Sequence, residues 1–292
     1  TRLVSDWSSD VCSSDLSQLR KATCGENPLH AGQVPDEAVA LIAAVDVQIG
    51  HAFVAVTAYA ARMRTRWLVW YEQVPCPEGT GLGTLDELLY RRVFTRQDGT
   101  GMRVVSRGID SGDRTAEVYD YCRARPQCYA IKGVGEDPRG RLDTPHQWRL
   151  ITLSPDGRRK LEPPVSLLKV NAHHWRSWVL RRLGIDAGEK DPALLDEDEP
   201  ERTPGETVAA WRLPRDVTDE YLEQLTAEEL VETRGPGGRV KHEWRLRPGR
   251  RHNHWFDVAV YTEALAHARG VHTLDRPCGL EDRKSTRLNS SH

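Results

Sequence analysis

Ala38-Val39-Ala40-Leu41-Ile42-Ala43-Ala44-Val45-Asp46-Val47 carries one charge in ten residues, and that charge stands next to its end. A continuous apolar run of this length reads as a buried strand. An aspartate inside such a strand is costly to bury unless it is paired or binds a cation. Residues 51–60 (HAFVAVTAYA) and 66–74 (RWLVWYEQV) read as second and third strands, with Gly50 and Arg62-Met63-Arg64 supplying the turns of a three-strand meander. A loop rich in glycine and proline follows. Thr84 with Glu87 three residues on then matches a capping box and predicts a helix to about residue 93.

Residues 102–109 read as a fourth strand, closed by Asp110-Ser111-Gly112. A helix is expected over 115–125 and a fifth strand over 129–133. Three antiparallel strands, helix, strand, helix, strand predicts an α/β fold: a mixed five-stranded sheet with helices on both faces, the ribonuclease H-like arrangement. Further along, the pattern predicts a hairpin of 148–153 and 160–168 around Pro155-Asp156-Gly157 and a helix over 173–183. A helix over 221–232 with Thr226 capping its second half, a strand over 240–246 and a helix over 254–268 complete the reading.

The chain of 292 residues is long enough to bury a sizeable core. Its net charge of -2 argues neither for nor against nucleic acid, but arginine is dense at 62–66, 139–141, 176–182 and 245–251, patches able to meet phosphates. No apolar run is long enough to span a membrane, and the start lacks a secretory pattern. Six cysteines without a CxxC pair fit neither a zinc site nor a disulfide framework, so free thiols in a reducing cytosol are expected. Residues 6–16 and 282–292 have no apolar period. Back-translated, the second segment matches a common sequencing-library adapter, and its reverse complement in a shifted frame accounts for the first. The expected organisation is therefore an adapter-derived, disordered segment over 1–16 and a linker remnant over 17–32. One domain over 33–272 follows, with a mobile acidic insert at 187–207, and then adapter-derived sequence over 282–292. Truncation of the natural protein at one or both ends is expected.

Three aspartates stand out by position: Asp46 in the first strand, Asp110 at the end of the fourth, and Asp257 early in the last helix. If the first and fourth strands are neighbours, Asp46 and Asp110 meet at the strand ends, and a packed helix can bring Asp257 to them. Phosphodiester hydrolysis uses such a cluster to hold two divalent ions about 4 Å apart, one activating water and one steadying the leaving oxygen. Hard oxygen ligands suit Mg²⁺ or Mn²⁺. Taken singly, each aspartate also reads as a turn residue or helix cap. No GxxxxGK[ST], GxSxG or HExxH motif is present, and the glycine-rich 79–83 stretch has no lysine. His173, His174, His252 and His254 read as solvated or capping residues rather than ligands.

Several of these stretches resemble the large terminase subunits of lambda-like phages, in their C-terminal nuclease domain. Val45-Asp46-Val47-Gln48 is similar to that family's VDVQ. Gly108-Ile109-Asp110-Ser111-Gly112 with Val118-Tyr119-Asp120-Tyr121-Cys122 is similar to IDSG and VYxFC, and Ala130-Ile131-Lys132-Gly133 to AVKG. Gln224-Leu225-Thr226-Ala227-Glu228 and Asn253-His254-Trp255-Phe256-Asp257 complete the series. The matches run in order from about residue 33 to 270. The resemblance implies a nuclease that cuts concatemeric double-stranded DNA during genome packaging, joined in the whole subunit to an ATPase motor. Its implied partners are a small terminase subunit and the portal protein. It implies Asp46, Asp110 and Asp257 as catalytic metal-binding acids for two Mg²⁺ or Mn²⁺, with Asp46 bridging. Lys132, Arg107 and Arg251 are candidates for holding DNA phosphates. Ile49-Gly50 after VDVQ and the bulky Trp255-Phe256 pair depart from the family pattern. Two other readings are a different ribonuclease H-like enzyme, such as a junction resolvase or transposase core, and a non-catalytic DNA-binding or assembly module of a decayed prophage.

Overall fold

The computed structural model describes residues 2–3, 13–25, 27, 29–135, 142–185, 211–234, 240–278 and 280–281. The meander is present as β1 (Ala38–Val47), β2 (Gly50–Ala60) and β3 (Arg66–Cys76), paired antiparallel in sequence order. Gly50, at φ +80°, makes the tight turn that leaves Ile49 exposed, and Arg62 and Met63 turn the chain with φ of 56° and 54°. The chain then returns as β4 (Val104–Asp110), which lies parallel to β1 on its other side. After helix α2 (Thr115–Arg123), β5 (Cys128–Val134) pairs parallel with β4.

The hairpin of β6 (His146–Leu153) and β7 (Lys160–Asn171) does not stand apart. β7 pairs parallel with β5, and the two-residue β8 (Trp211–Arg212) pairs with β3. The mixed sheet therefore has eight strands, in the order β6-β7-β5-β4-β1-β2-β3-β8, rather than five. The five expected strands are its centre, and the arrangement is compatible with a ribonuclease H-like fold.

Helices cover both faces. One face packs against α3 (Ala172–Arg182), α4 (Asp219–Leu225) and α5 (His254–Ala268), the other against α2. α5 lies directly on β1, β2 and β4. Gly108 makes that approach possible: a Cβ there would stand 2.3 Å from Ile131 Cδ1 and 3.1 Å from Leu265 Cδ2. Under the same helix, Arg66 and Glu263 form a fully buried ion pair at 2.9 Å, and Trp178 Nε1 donates to the second Glu263 oxygen at 3.0 Å.

Three local expectations are corrected. The helix expected over 84–93 is a 3-10 turn (Gly83–Leu85) followed by a π turn (Glu87–Arg91), closed by Arg92 N–H donating to Glu87 O at 2.8 Å. No capping box forms, because the Thr84 hydroxyl lies 3.1 Å from Cys76 Sγ instead. The helix expected over 221–232 ends at Leu225. Thr226 starts no second half; it is the C-cap of α4, its N–H donating to the Leu222 and Gln224 carbonyls and its hydroxyl to the Leu222 carbonyl, while Arg247 holds the Thr226 carbonyl. The chain then extends as β9 (Glu228–Arg234) in a hairpin with β10 (Val240–Leu246). Helix α1 (Ser13–Cys24) runs from the segment expected as adapter-derived and disordered into the expected linker, and buries Leu19, Thr23 and Cys24. The acidic insert at 187–207, residues 4–12 and residues 282–292 lie outside the described residues. Among the described residues the cysteines are free thiols, and no helix is long and apolar enough to cross a membrane.

Removing one partner of a buried ion pair leaves a bare charge and costs about 3–5 kcal/mol. Glu263→Ala is expected to lower unfolding stability by that amount in urea titration; a loss under about 1 kcal/mol would show that the pair does not anchor α5.

Candidate active site

The register of β1 and β4 builds the site. Val45 stands beside Ile109, so the next residues, Asp46 and Asp110, are neighbours on one face at the ends of parallel strands. Asp110 in turn stands beside Ile131 of β5, and Ser111 anchors the turn that follows: its amide and hydroxyl both donate to the Ile131 carbonyl, at 2.8 and 2.7 Å. Gly112 donates its N–H to Asp110 Oδ1 at 3.3 Å. A Cβ there would lie 3.1 Å from Asp110 Oδ2, so the glycine keeps the carboxylate open.

α5 supplies the third acid. Asp257 and Tyr261 are one turn apart and so share a helix face. Burial pushes the Tyr261 phenol well up, and the charges of Asp110, Asp257 and Asp46 add to the shift. Tyr261 has room because position 133 is glycine, whose Cβ would stand 3.2 Å from the phenol oxygen.

Two of the three acids have partners. Asp46 is almost fully buried; it accepts from Gln48 Nε2 at 2.8 Å and meets His254 Nδ1 at 2.8 Å. His254 is held for that contact by stacking on Phe53 at 4.3 Å, and Phe53 is the β2 register partner of Asp46. His254, expected as solvated or capping, is thus a half-buried partner of an acid. Asp257 pairs with Arg176 of α3 at 2.9 Å and accepts from Asn253 at 3.0 Å. Arg176 also reaches Glu228, the first residue of β9, at 3.0 Å, and Asn253 donates to Glu228 at 2.9 Å. Glu228 is therefore a fourth acid beside Asp257, and burial raises its carboxyl. Among the described residues Asp110 has no ion-pair partner. Burial first, and Asp46 and Asp257 after it, push its carboxyl up to about 7. Burial also raises Asp257, against the pull of Arg176.

The donor set fits a divalent cation chemically: hard carboxylate oxygens are crowded until one of them holds a proton near neutrality. As the side chains stand, though, no three acidic, histidine or cysteine groups among the described residues surround one ion position.

The cationic candidates fare differently. Arg251 is exposed in the segment leading into α5. Lys132 is exposed but follows Ile131, so strand alternation turns it to the face opposite Asp110. Arg107 alternates to that opposite face too. It is buried, with Nε donating to the Leu89 carbonyl at 2.8 Å, a second bond to the Val104 carbonyl, and its guanidinium 4.2 Å from the Tyr90 ring. Its guanidinium is engaged inside the fold.

The Asp110 shift has a definite sign. A carboxyl whose folded pKa lies near 7 rather than near 3.8 stabilises the protein while protonated, and that stability is lost as pH rises from about 4 through about 7. In EDTA, thermal unfolding of the wild type is expected to fall relative to Asp110→Asn over that window. Parallel pH profiles would show that Asp110 ionises normally.

No curated protein and no solved structure matches the chain. A family model described as "Terminase large subunit gpA, endonuclease domain" matches residues 2–276, nearly its whole length. That span takes in the β1–β4 aspartate pair, the β9 glutamate and the α5 aspartate. The chain belongs to the endonuclease-domain family of the terminase large subunit gpA.

Proposed function

We propose that the domain is a metal-dependent endonuclease that cuts concatemeric double-stranded DNA during phage genome packaging. The observation that carries this reading is the meeting of Asp46, Asp110 and Asp257, from three separate elements, with Asp110 left without a cationic partner among the described residues and its carboxyl pushed up to about 7. Family membership supports the nuclease role in packaging.

In this reading Asp46, Asp110 and Asp257 would together hold two Mg²⁺ or Mn²⁺, with Asp46 serving both. The ions, when bound, supply the activated water and steady the leaving oxygen. The protein's own part is to fix the acids. β1 and β4 hold Asp46 and Asp110 by backbone register, α5 carries Asp257 across to them, and Gln48, His254 and Asn253 orient the carboxylates by hydrogen bonds. Arg251, exposed ahead of α5, would meet phosphates and carry no sequence information by itself. In the intact subunit, a small terminase subunit and the portal protein would be the partners, in the host cytoplasm.

A non-catalytic DNA-binding module is the second reading. It draws on one observation: Arg176 and His254 already sit on two of the three acids.

Plasmid cleavage by the full chain in Mn²⁺, Mg²⁺ and EDTA separates the two. Losing an outer-shell partner costs a metal site about 10–100-fold. Asp46→Asn, Asp110→Asn and Asp257→Asn are each expected to lose more than that while DNA binding persists. Cleavage that survives all three changes, or that ignores EDTA, would remove the metal assignment.

A further inference from the structure

Arg176 stands where a cation is wanted. It projects from α3, and its Nη2 meets Asp257 at 2.9 Å while its Nε meets Glu228 at 3.0 Å. Asn253 bridges the same two carboxylates, at 3.0 and 2.9 Å. Arg176 and Asp257 are each about one-fifth exposed and Glu228 less than one-tenth, so the pair lies at the rim of a buried pocket rather than in free solvent. With the guanidinium in this position, no three potential ligands among the described residues surround an ion.

We propose that Arg176 is a resident counter-cation that competes with the divalent metal for Asp257, so that loading this side of the site requires the guanidinium to leave. The proposal rests on the metal-dependent reading above. Two acids engaged by one guanidinium, Asp257 by a hydrogen bond and Glu228 by an ion-pair contact, cannot also turn the same oxygens onto an ion. A guanidinium matches two carboxylates in a way no point charge does. Its single charge offsets part of the negative charge of Asp257 and Glu228 in the metal-free protein, and the cost of undoing it is subtracted from metal affinity. The displaced guanidinium remains tethered to α3 beside the site, where a DNA phosphate can take the place of the carboxylates it has left. Metal loading and DNA binding are thereby linked: a phosphate that captures Arg176 frees Asp257 for the ion.

The test is calorimetric titration of Mn²⁺ into the full chain without DNA, comparing wild type, Arg176→Gln and Arg176→Lys, each with and without Asp46→Asn. Hydrogen bonds to charged groups are strong enough that removing this competition is expected to tighten Mn²⁺ binding about tenfold or more in Arg176→Gln. The lysine variant, which keeps the charge but cannot fork two acids, should tighten it less. It also serves if the glutamine variant fails to fold. Equal or weaker Mn²⁺ binding in a folded variant would overturn the proposal, leaving Arg176 a structural clamp and the metal reading intact. Absence of any Asp46-sensitive Mn²⁺ binding in wild type and variants alike would overturn the metal reading itself, and this proposal with it.

Discussion

Carboxylates forced together by backbone register are the constraint around which the domain is arranged. Once β1 and β4 pair in parallel with Val45 beside Ile109, Asp46 and Asp110 are committed to one pocket, and no side-chain rotation separates them as far as a one-residue slip would. Like charges at that spacing repel, and burial adds to the cost. The surroundings share it out. His254 and Gln48 take up Asp46, Arg176 and Asn253 take up Asp257, and Asp110 retains a proton near neutrality. The pocket tolerates this only because small residues surround it. Gly108 lets α5 approach, Gly112 leaves Asp110 uncovered and Gly133 admits the Tyr261 ring.

The fold's centre was legible because its signals are local. Ala38–Val47 is apolar throughout, Gly50 sits at a turn that needs positive φ, and the next two strands follow at turn spacing. Asp46 was legible for the same reason, since a lone charge in such a run demands an explanation. What escaped was set by distant contacts. Glu228 looked helical because α4 carries a helical pattern up to Leu225. In the sequence, Gly235-Pro236-Gly237-Gly238 marks only that an element must end before it, and the long-range pairing of β9 with β10 decides that this element is a strand. Arg176 sits in an arginine-rich stretch that reads as a solvated face, and only the packing of α3 beside α5 shows its partners.

Lys132 and Arg107 show a different limit. Both are near aspartate-bearing motifs in sequence, yet sequence proximity on a strand places alternate residues on opposite faces. Asp110 and Gly108 face α5, so Arg107, one residue before Gly108, must face away, where Tyr90 and Leu89 enclose it. Lys132, one past Ile131, turns away for the same reason. The period of two was sufficient to place them once the face of Asp110 was fixed. A motif's neighbourhood along the chain is no substitute for that step.

The bulky Trp255-Phe256 pair bears on the site through rigidity rather than through chemistry. Trp255 packs edge-on against Phe53 at 4.9 Å and Tyr71 at 5.5 Å, and lies 5.3 Å from Tyr221, which ties the first turn of α5 to β2, β3 and α4 together. Phe256 is fully buried beside Trp244 of β10. The two rings leave α5 on different sides and fix its rotation about its own axis, and that rotation decides where Asp257 and Tyr261 point. Phe53 is shared: it supports Trp255 on one side and His254 on the other, and His254 reaches Asp46. The aromatic cluster therefore holds the α5 aspartate and the β1 aspartate in a common frame. Larger side chains at these two positions are a means of holding the pocket, and they leave its oxygen ligands untouched.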